Sequence, residues 1–242
     1  MQPLRSLVFK ALILSTSIIL STNMPALAQN VVVHPLKGAS GTKYNLYQTN
    51  GLAMGWQIKR PSKDQKNIKL CIPSAFTTKS DTVVGIYAIN GKVSNRKAIS
   101  KPIGGVILIE NGDFKIFPTQ KGAVFTKAFL AGVEKRKATM FQQFQIVTNG
   151  SPASFRDKKY YQMRAIVRFK DSREGVIESE KDINFKTFNT DLAKLGVDNA
   201  LYTDMGPWDE GWYRDKSDNI VTIGNDRSKT HKQSNWAIFT ER

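Results

Sequence analysis

Short apolar runs separated by turn residues recur along most of the chain, and they commit it to a sheet-rich fold. Ala53-Met54-Gly55-Trp56-Gln57-Ile58, Ile68-Lys69-Leu70-Cys71-Ile72, Val83 to Ile89 and Gly105-Val106-Ile107-Leu108-Ile109 are each the length of a strand. The last is followed by Asn111-Gly112 and then Phe114-Lys115-Ile116-Phe117. Asn-Gly between two apolar runs predicts a tight hairpin, because both residues tolerate the positive φ that such a turn needs. Further strands are expected at 146–148, 161–169, 175–178, 200–203, 220–223 and 236–239. In the 161–169 segment Tyr161, Met163, Ala165, Val167 and Phe169 share one face, and Gln162, Arg164 and Arg168 lie on the other, polar one.

Two segments break the two-residue period. Phe125, Phe129, Val133, Met140, Phe141 and Phe144 follow helical spacing, predicting an amphipathic helix over about 126–144. Phe185, Phe188, Leu192 and Leu195 predict a second over about 184–195, capped by Asp182 or Asn184 and ended by Gly196. The expected class is α+β: mixed, largely antiparallel sheets with two main helices. No internal repeat or Pro/Gly/Ser linker divides the chain, so residues 29–242 are expected to form a single domain.

Residues 1–28 read as a secretory signal. Arg5 and Lys10 precede an apolar run from Ala11 to Leu20, and Ala26-Leu27-Ala28 has the small-x-small form of a cleavage site. The run is short and rich in Ser and Thr for a membrane anchor. The expected product is exported, periplasmic or extracellular, with no stable membrane insertion after cleavage. The chain carries a formal +16, of which +14 remains without Arg5 and Lys10. That balance favours anionic partners. Nucleic acid is not expected, because export and the lack of a recognisable binding motif count against it. A single cysteine, Cys71, excludes an internal disulfide and reads as a small buried hydrophobe.

No G-x-S-x-G, H-E-x-x-H, P-loop or dinucleotide fingerprint is present, and two distant histidines make a His-rich metal site unexpected. No cofactor is expected. What remains is the polar segment Asp204-Met205-Gly206-Pro207-Trp208-Asp209-Glu210-Gly211-Trp212-Tyr213-Arg214-Asp215. Asp204 stands at the end of an apolar strand. Gly206-Pro207 and Gly211 force turns that can bring Trp208, Asp209, Glu210 and Trp212 near it. Carboxylates beside flat aromatics suit sugar recognition, and paired carboxylates are what glycosyl transfer needs. The same pattern is also that of a plain Asp/Gly turn whose tryptophans are core. The three carboxylates Asp204, Asp209 and Glu210 could hold a cation, although no metal is expected.

From Phe144 onward the order of elements resembles the phosphodiester glycosidase family. Ile146-Val147-Thr148-Asn149-Gly150 is similar to an extended family segment ending in a polar residue and Gly, and Arg164-Ala165-Ile166 to a family strand. Asp191 to Gly196 resembles the helix and Gly that follow. Ala200-Leu201-Tyr202-Thr203-Asp204-Met205-Gly206 resembles the strand into Leu-Asp-Gly-Gly, and Asn235-Trp236-Ala237-Ile238 the final Asn-Ala-Ile strand. Upstream, Ile72-Pro73-Ser74-Ala75-Phe76 and Ile103 to Gly112 resemble the Asn-Gly-Gly-Phe-Phe region and an Asn-Gly hairpin, so the likeness spans about residues 68–242. Met205 stands where the family has Gly, Pro207-Trp208 replaces Gly-Ser, and Pro73-Ser74-Ala75 replaces Asn-Gly-Gly.

The resemblance implies a hydrolase acting on a sugar linked through phosphate, a sugar-1-phosphodiester or other anionic glycan. It implies Arg164 as the phosphate ligand and Asp204 as a general acid/base or sugar-hydroxyl acceptor. Asn149, with Gly150, would bind a substrate hydroxyl or phosphate. Gly206, Trp208, Asp209, Glu210, Trp212 and Asn235 would complete the substrate site. His231 either faces the same pocket or is an exposed loop histidine. Met205 and Pro207 predict slow turnover. The alternative is a non-catalytic envelope or glycan-binding protein on the same fold.

Overall fold

The computed structural model describes residues 30–94 and 96–242. The expected signal segment lies outside the described residues. In chain order the strands are β1 (Val32–Lys37), β2 (Lys43–Gln48), β3 (Ala53–Gln57), β4 (Ile68–Pro73), β5 (Tyr87–Ile89), β6 (Lys92–Val93), β7 (Gly105–Glu110) and β8 (Asp113–Pro118). Helix α1 (Lys127–Lys135) follows, then β9 (Thr139–Gln143), β10 (Gln145–Thr148), β11 (Ser151–Pro152), β12 (Arg164–Phe169) and β13 (Glu174–Ser179). Helix α2 (Phe185–Lys194) precedes β14 (Val197–Tyr202), β15 (Gly211–Arg214), β16 (Ile220–Ile223) and β17 (Trp236–Thr240). The α+β class and single domain expected from the sequence are borne out.

The strands form three sheets in the orders β1-β2-β13-β12-β14-β10-β11, β16-β15-β4-β17-β3 and β6-β5-β9-β7-β8. Their neighbouring strands pair antiparallel. All three send side chains into one core: Tyr47, Ile166, Val176 and Leu201 from the first, Trp56, Leu70, Ile72 and Phe239 from the second, Ile107, Phe114 and Phe141 from the third. The outer face of the first sheet is covered by α2 through Phe185, Phe188 and Leu192. The outer face of the third is covered by the α1 region through Phe125, Leu130 and Val133. Because both faces of the inner strands are buried, β4 and β12 show near-continuous burial rather than a wet face.

The Asn111-Gly112 hairpin forms as predicted, with φ of 52° and 83° and β7 paired to β8. Helix α2 matches its expectation: Asn184 Oδ1 accepts from Thr187 N at 2.9 Å, and Gly196, φ 90°, follows the helix. The first helix is corrected. It stops at Lys135, because Lys137 takes φ 52° and turns the chain into β9. Phe129, Leu130 and Val133 are the real helical stripe, with Phe125 packing beside it just before the helix. Beyond the turn Met140 faces the outer core and Phe141 the central one, the alternation of a strand buried on both sides. The strand expected from Val83 begins only at Tyr87, whereas β1, β2 and β15 had no sequence counterpart.

Candidate functional site

Asp204 lies two residues beyond the end of β14, where the first sheet meets the second. Its backbone N–H donates to Ser74 O at 2.8 Å, and its Oδ2 accepts from Thr77 N at 3.1 Å. Ser74 to Thr77 is the segment that leaves β4, so the two sheets are tied together at the aspartate. Asn235, immediately before β17, completes the junction. Its Oδ1 accepts from Ala75 N at 2.7 Å, Ser74 Oγ at 2.6 Å and Trp56 Nε1 at 3.2 Å, while its Nδ2 donates to Ala75 O at 2.9 Å. Thr77 Oγ1 donates to Gln233 Oε1 at 3.0 Å and lies 3.0 Å from Ser234 Oγ. Gln143 Nε2 donates to Ser74 O at 3.1 Å.

Asp204 is 7% exposed. Burial pushes its pKa up to about 7, against the opposing pull of the Thr77 donors and the Met205 N–H. Asp209, also buried, is pushed up to about 6, chiefly by burial and against the nearby Arg164 charge. Its Oδ2 accepts from Asn225 N at 3.1 Å, whereas its buried Oδ1 has no hydrogen-bond partner. Beside it, Gly206, Pro207, Asp209, Gln162, Tyr161 and Asn225 are among the residues lining a cavity of about 400 Å³. Asp182 and Asp226 also line it, and no described Lys or Arg does.

Several expected site residues stand elsewhere, and these placements are corrections. Arg164 does share a face with Gln162 and Arg168, but at Arg164 that face looks into the central core rather than to solvent, whereas Arg168 stays partly exposed. Its guanidinium is ion-paired to Glu178 and donates from Nη1 to Asp209 O at 3.0 Å. Its own carbonyl accepts from Thr203 N at 3.1 Å, so it does border Asp204, but as a buried strut. Asn149, φ 47°, and Gly150 form the turn at the opposite end of the same strands, where Gly150 N donates to Asp198 O. Six residues of extended chain separate Asp198 from Asp204, roughly 20 Å. Trp212 is fully buried with Cys71 and Trp236 under the outer face of the second sheet and cannot serve as a sugar platform. Glu210 is ion-paired with Arg60 and Lys63. Of the two alternatives for His231 the structure has the exposed loop histidine, in a short 3₁₀ turn, Thr230–Lys232. Trp208 is half-buried. Among the described residues no three His, Cys, Asp or Glu side chains cluster as a metal site would require, so Asp204, Asp209 and Glu210 do not form one.

Asp204, Gly206, Asp209 and Asn235 thus remain around one junction. Thr77, Gln143 and Glu178 were missed by sequence reasoning. Glu178 could have been found: strand pairing of 161–169 with 175–178 puts Arg164 opposite it. Gln143 and Thr77 carry no local signal, since their partners are 69 and 127 residues away.

No family model matches the chain, and no curated protein matches it. Among the solved structures that share its fold are two that cover most of this chain. One is the zebrafish N-acetylglucosamine-1-phosphodiester alpha-N-acetylglucosaminidase catalytic domain, auto-inhibited by its pro-peptide, at TM-score 0.60 and 10% identity, covering 91% of this chain and 85% of that one. The other is a hypothetical protein from Synechocystis at TM-score 0.53 and 10% identity, covering 87% of this chain and 61% of that one. At such identities the likeness concerns the fold alone.

Proposed function

We propose that this chain is an exported glycosidase-like protein that binds a sugar linked through phosphate and hydrolyses the linkage slowly, with Asp204 as the proton donor. One observation carries the reading: a buried carboxyl with its pKa raised to about 7 stands at the junction of two sheets, two residues before Gly206, which together with Asp209 lines a cavity. With Oδ2 engaged by the Thr77 N–H, the acidic proton resides on Oδ1 and can be given to a leaving oxygen. Tyr161 offers a flat face and Asp209 a hydroxyl acceptor for the sugar.

A second reading, binding without turnover, is favoured by Arg164. Its charge is already neutralised by Glu178, so it is a poor clamp for a developing phosphate charge. Calorimetry and product release on a panel of sugar-1-phosphodiesters test both. The expected result is binding with slow release, lost on the release side in Asp204→Asn. Binding unaccompanied by any release supports the second reading, and no binding to any panel member overturns both. Export is tested by N-terminal sequencing, which is expected to read from Gln29; an intact Met1 in a membrane fraction overturns it.

A further inference from the structure

The positive charge of this chain is concentrated away from the Asp204 junction. Residues 90–140 hold ten Lys and Arg against three Asp and Glu, half of the +14 carried by residues 29–242. This segment supplies β6, β7 and β8 of the third sheet and the layer over its outer face. The three acids are all engaged by arginines: Glu134 by Arg96, Glu110 by Arg136 and Asp113 by Arg242. Lys92, Lys101, Lys121, Lys127, Lys135 and Lys137 are exposed and make no ion pair among the described residues.

These lysines belong to one surface. Lys127 and Lys135 are eight residues apart on one stripe of α1, about 12 Å, with exposed Ala131 between them. Lys121 precedes the helix in the turn that packs on Ile99: a Cβ at Gly122 would lie 2.7 Å from Ile99 Cγ2. That contact brings the segment leading to Lys101 alongside. At the other end Gly91 N donates to Ala138 O at 2.8 Å, bringing Lys92 beside Lys137. Ile99, Val124, Phe129 and Val133 pack together beneath, so the layer is held as a unit.

We infer that this face is a docking surface for a linear anionic polymer carrying repeated phosphate groups. It goes beyond the sugar-phosphate reading, and no step of it uses Asp204. Lysines are point charges on mobile stems, suited to a flexible chain of anions rather than to planar recognition of a single group. The only exposed large hydrophobics among the described residues, Ile58 and Tyr160, are outside this face. It therefore lacks the aromatic platforms that stack single-stranded bases and the apolar wedge that anchors a protein in lipid.

The test measures binding of long-chain inorganic polyphosphate at several salt concentrations. Two quadruple variants of equal charge are compared: Lys121, Lys127, Lys135 and Lys137 to Gln, and Lys43, Lys66, Lys79 and Lys216 to Gln. All eight side chains are exposed, and thermal melts verify that both variants fold. The first is expected to lose at least tenfold in affinity with a shallower salt dependence, and the second less than threefold. Asp204→Asn is expected to bind polyphosphate as the parent does, which separates this surface from the Asp204 site. Equal losses in the two variants, or no binding by the parent, overturn the inference. Tighter binding to anionic phospholipid vesicles or to single-stranded nucleic acid of equal phosphate count also overturns it.

Discussion

Arg164 and Glu178 stand opposite each other on β12 and β13, ion-paired, with neither side chain open to more than a trace of solvent. Removing one partner leaves the other as an uncompensated buried charge. Glu178→Gln and Arg164→Met are each expected to cost about 3–5 kcal/mol, and the joint replacement Arg164→Met with Glu178→Leu much less than the two costs added. Urea denaturation of the three variants checks this, and single variants within 1 kcal/mol of the parent would contradict it.

Asp204 ties stability to pH. Its folded pKa, about 7, lies above the ordinary carboxylate value of 3.8. Between those values the unfolded chain has released the proton that the folded chain still holds, so the contribution is complete below about pH 4 and is lost as pH rises through 7. The loss is on the order of 4 kcal/mol. Asp204→Asn is expected to flatten the stability curve over this window, and denaturation midpoints from pH 4 to 8 would reveal it. The same variant is expected to abolish release of sugar while leaving binding within about tenfold.

Gly224 and Gly41 separate steric from conformational cost. Both have positive φ, 93° and 86°. A Cβ at Gly224 would collide with the backbone oxygen and carboxylate of Asp209, whereas one at Gly41 meets nothing within 4 Å. Gly41→Ala is expected to cost about 1 kcal/mol. Gly224→Ala is expected to cost about 2–4 kcal/mol and to disturb the cavity beside Asp209. Thermal melts rank the two, and equal shifts would refute the packing described.

The two tryptophans of the Asp204–Asp215 segment are expected to behave differently. Trp212→Ala removes a fully buried ring packed with Cys71 and Trp236 and should cost about 3–5 kcal/mol. Trp208, half-buried and not among the residues lining the cavity beside Asp209, should cost less and leave sugar binding unchanged. Paired denaturation and calorimetry distinguish them, and a marked loss of affinity in Trp208→Ala would put that residue back at the site.

The strand-rich α+β class, the Asn111-Gly112 hairpin and α2 with its Asn184 cap were legible in local pattern, because each rests on residues within one or two turns of each other. Apolar spacing also located the strand leading to Asp204. It misread 136–144, where helical and extended spacings coincide over a few residues until the left-handed Lys137 separates them. Tertiary structure alone decided which polar residues meet. Arg164 alternates correctly along its strand, yet a second sheet covers that face and turns an expected phosphate ligand into a buried ion pair. Asn149 and Asp204 read as similar strand-end signals, but antiparallel pairing puts them at opposite ends of the sheet. Asn235, Ser74 and Thr77 converge on Asp204 only because β17 and β4 lie side by side. Local periodicity records which face a residue takes; what covers that face depends on contacts with residues far away in the chain.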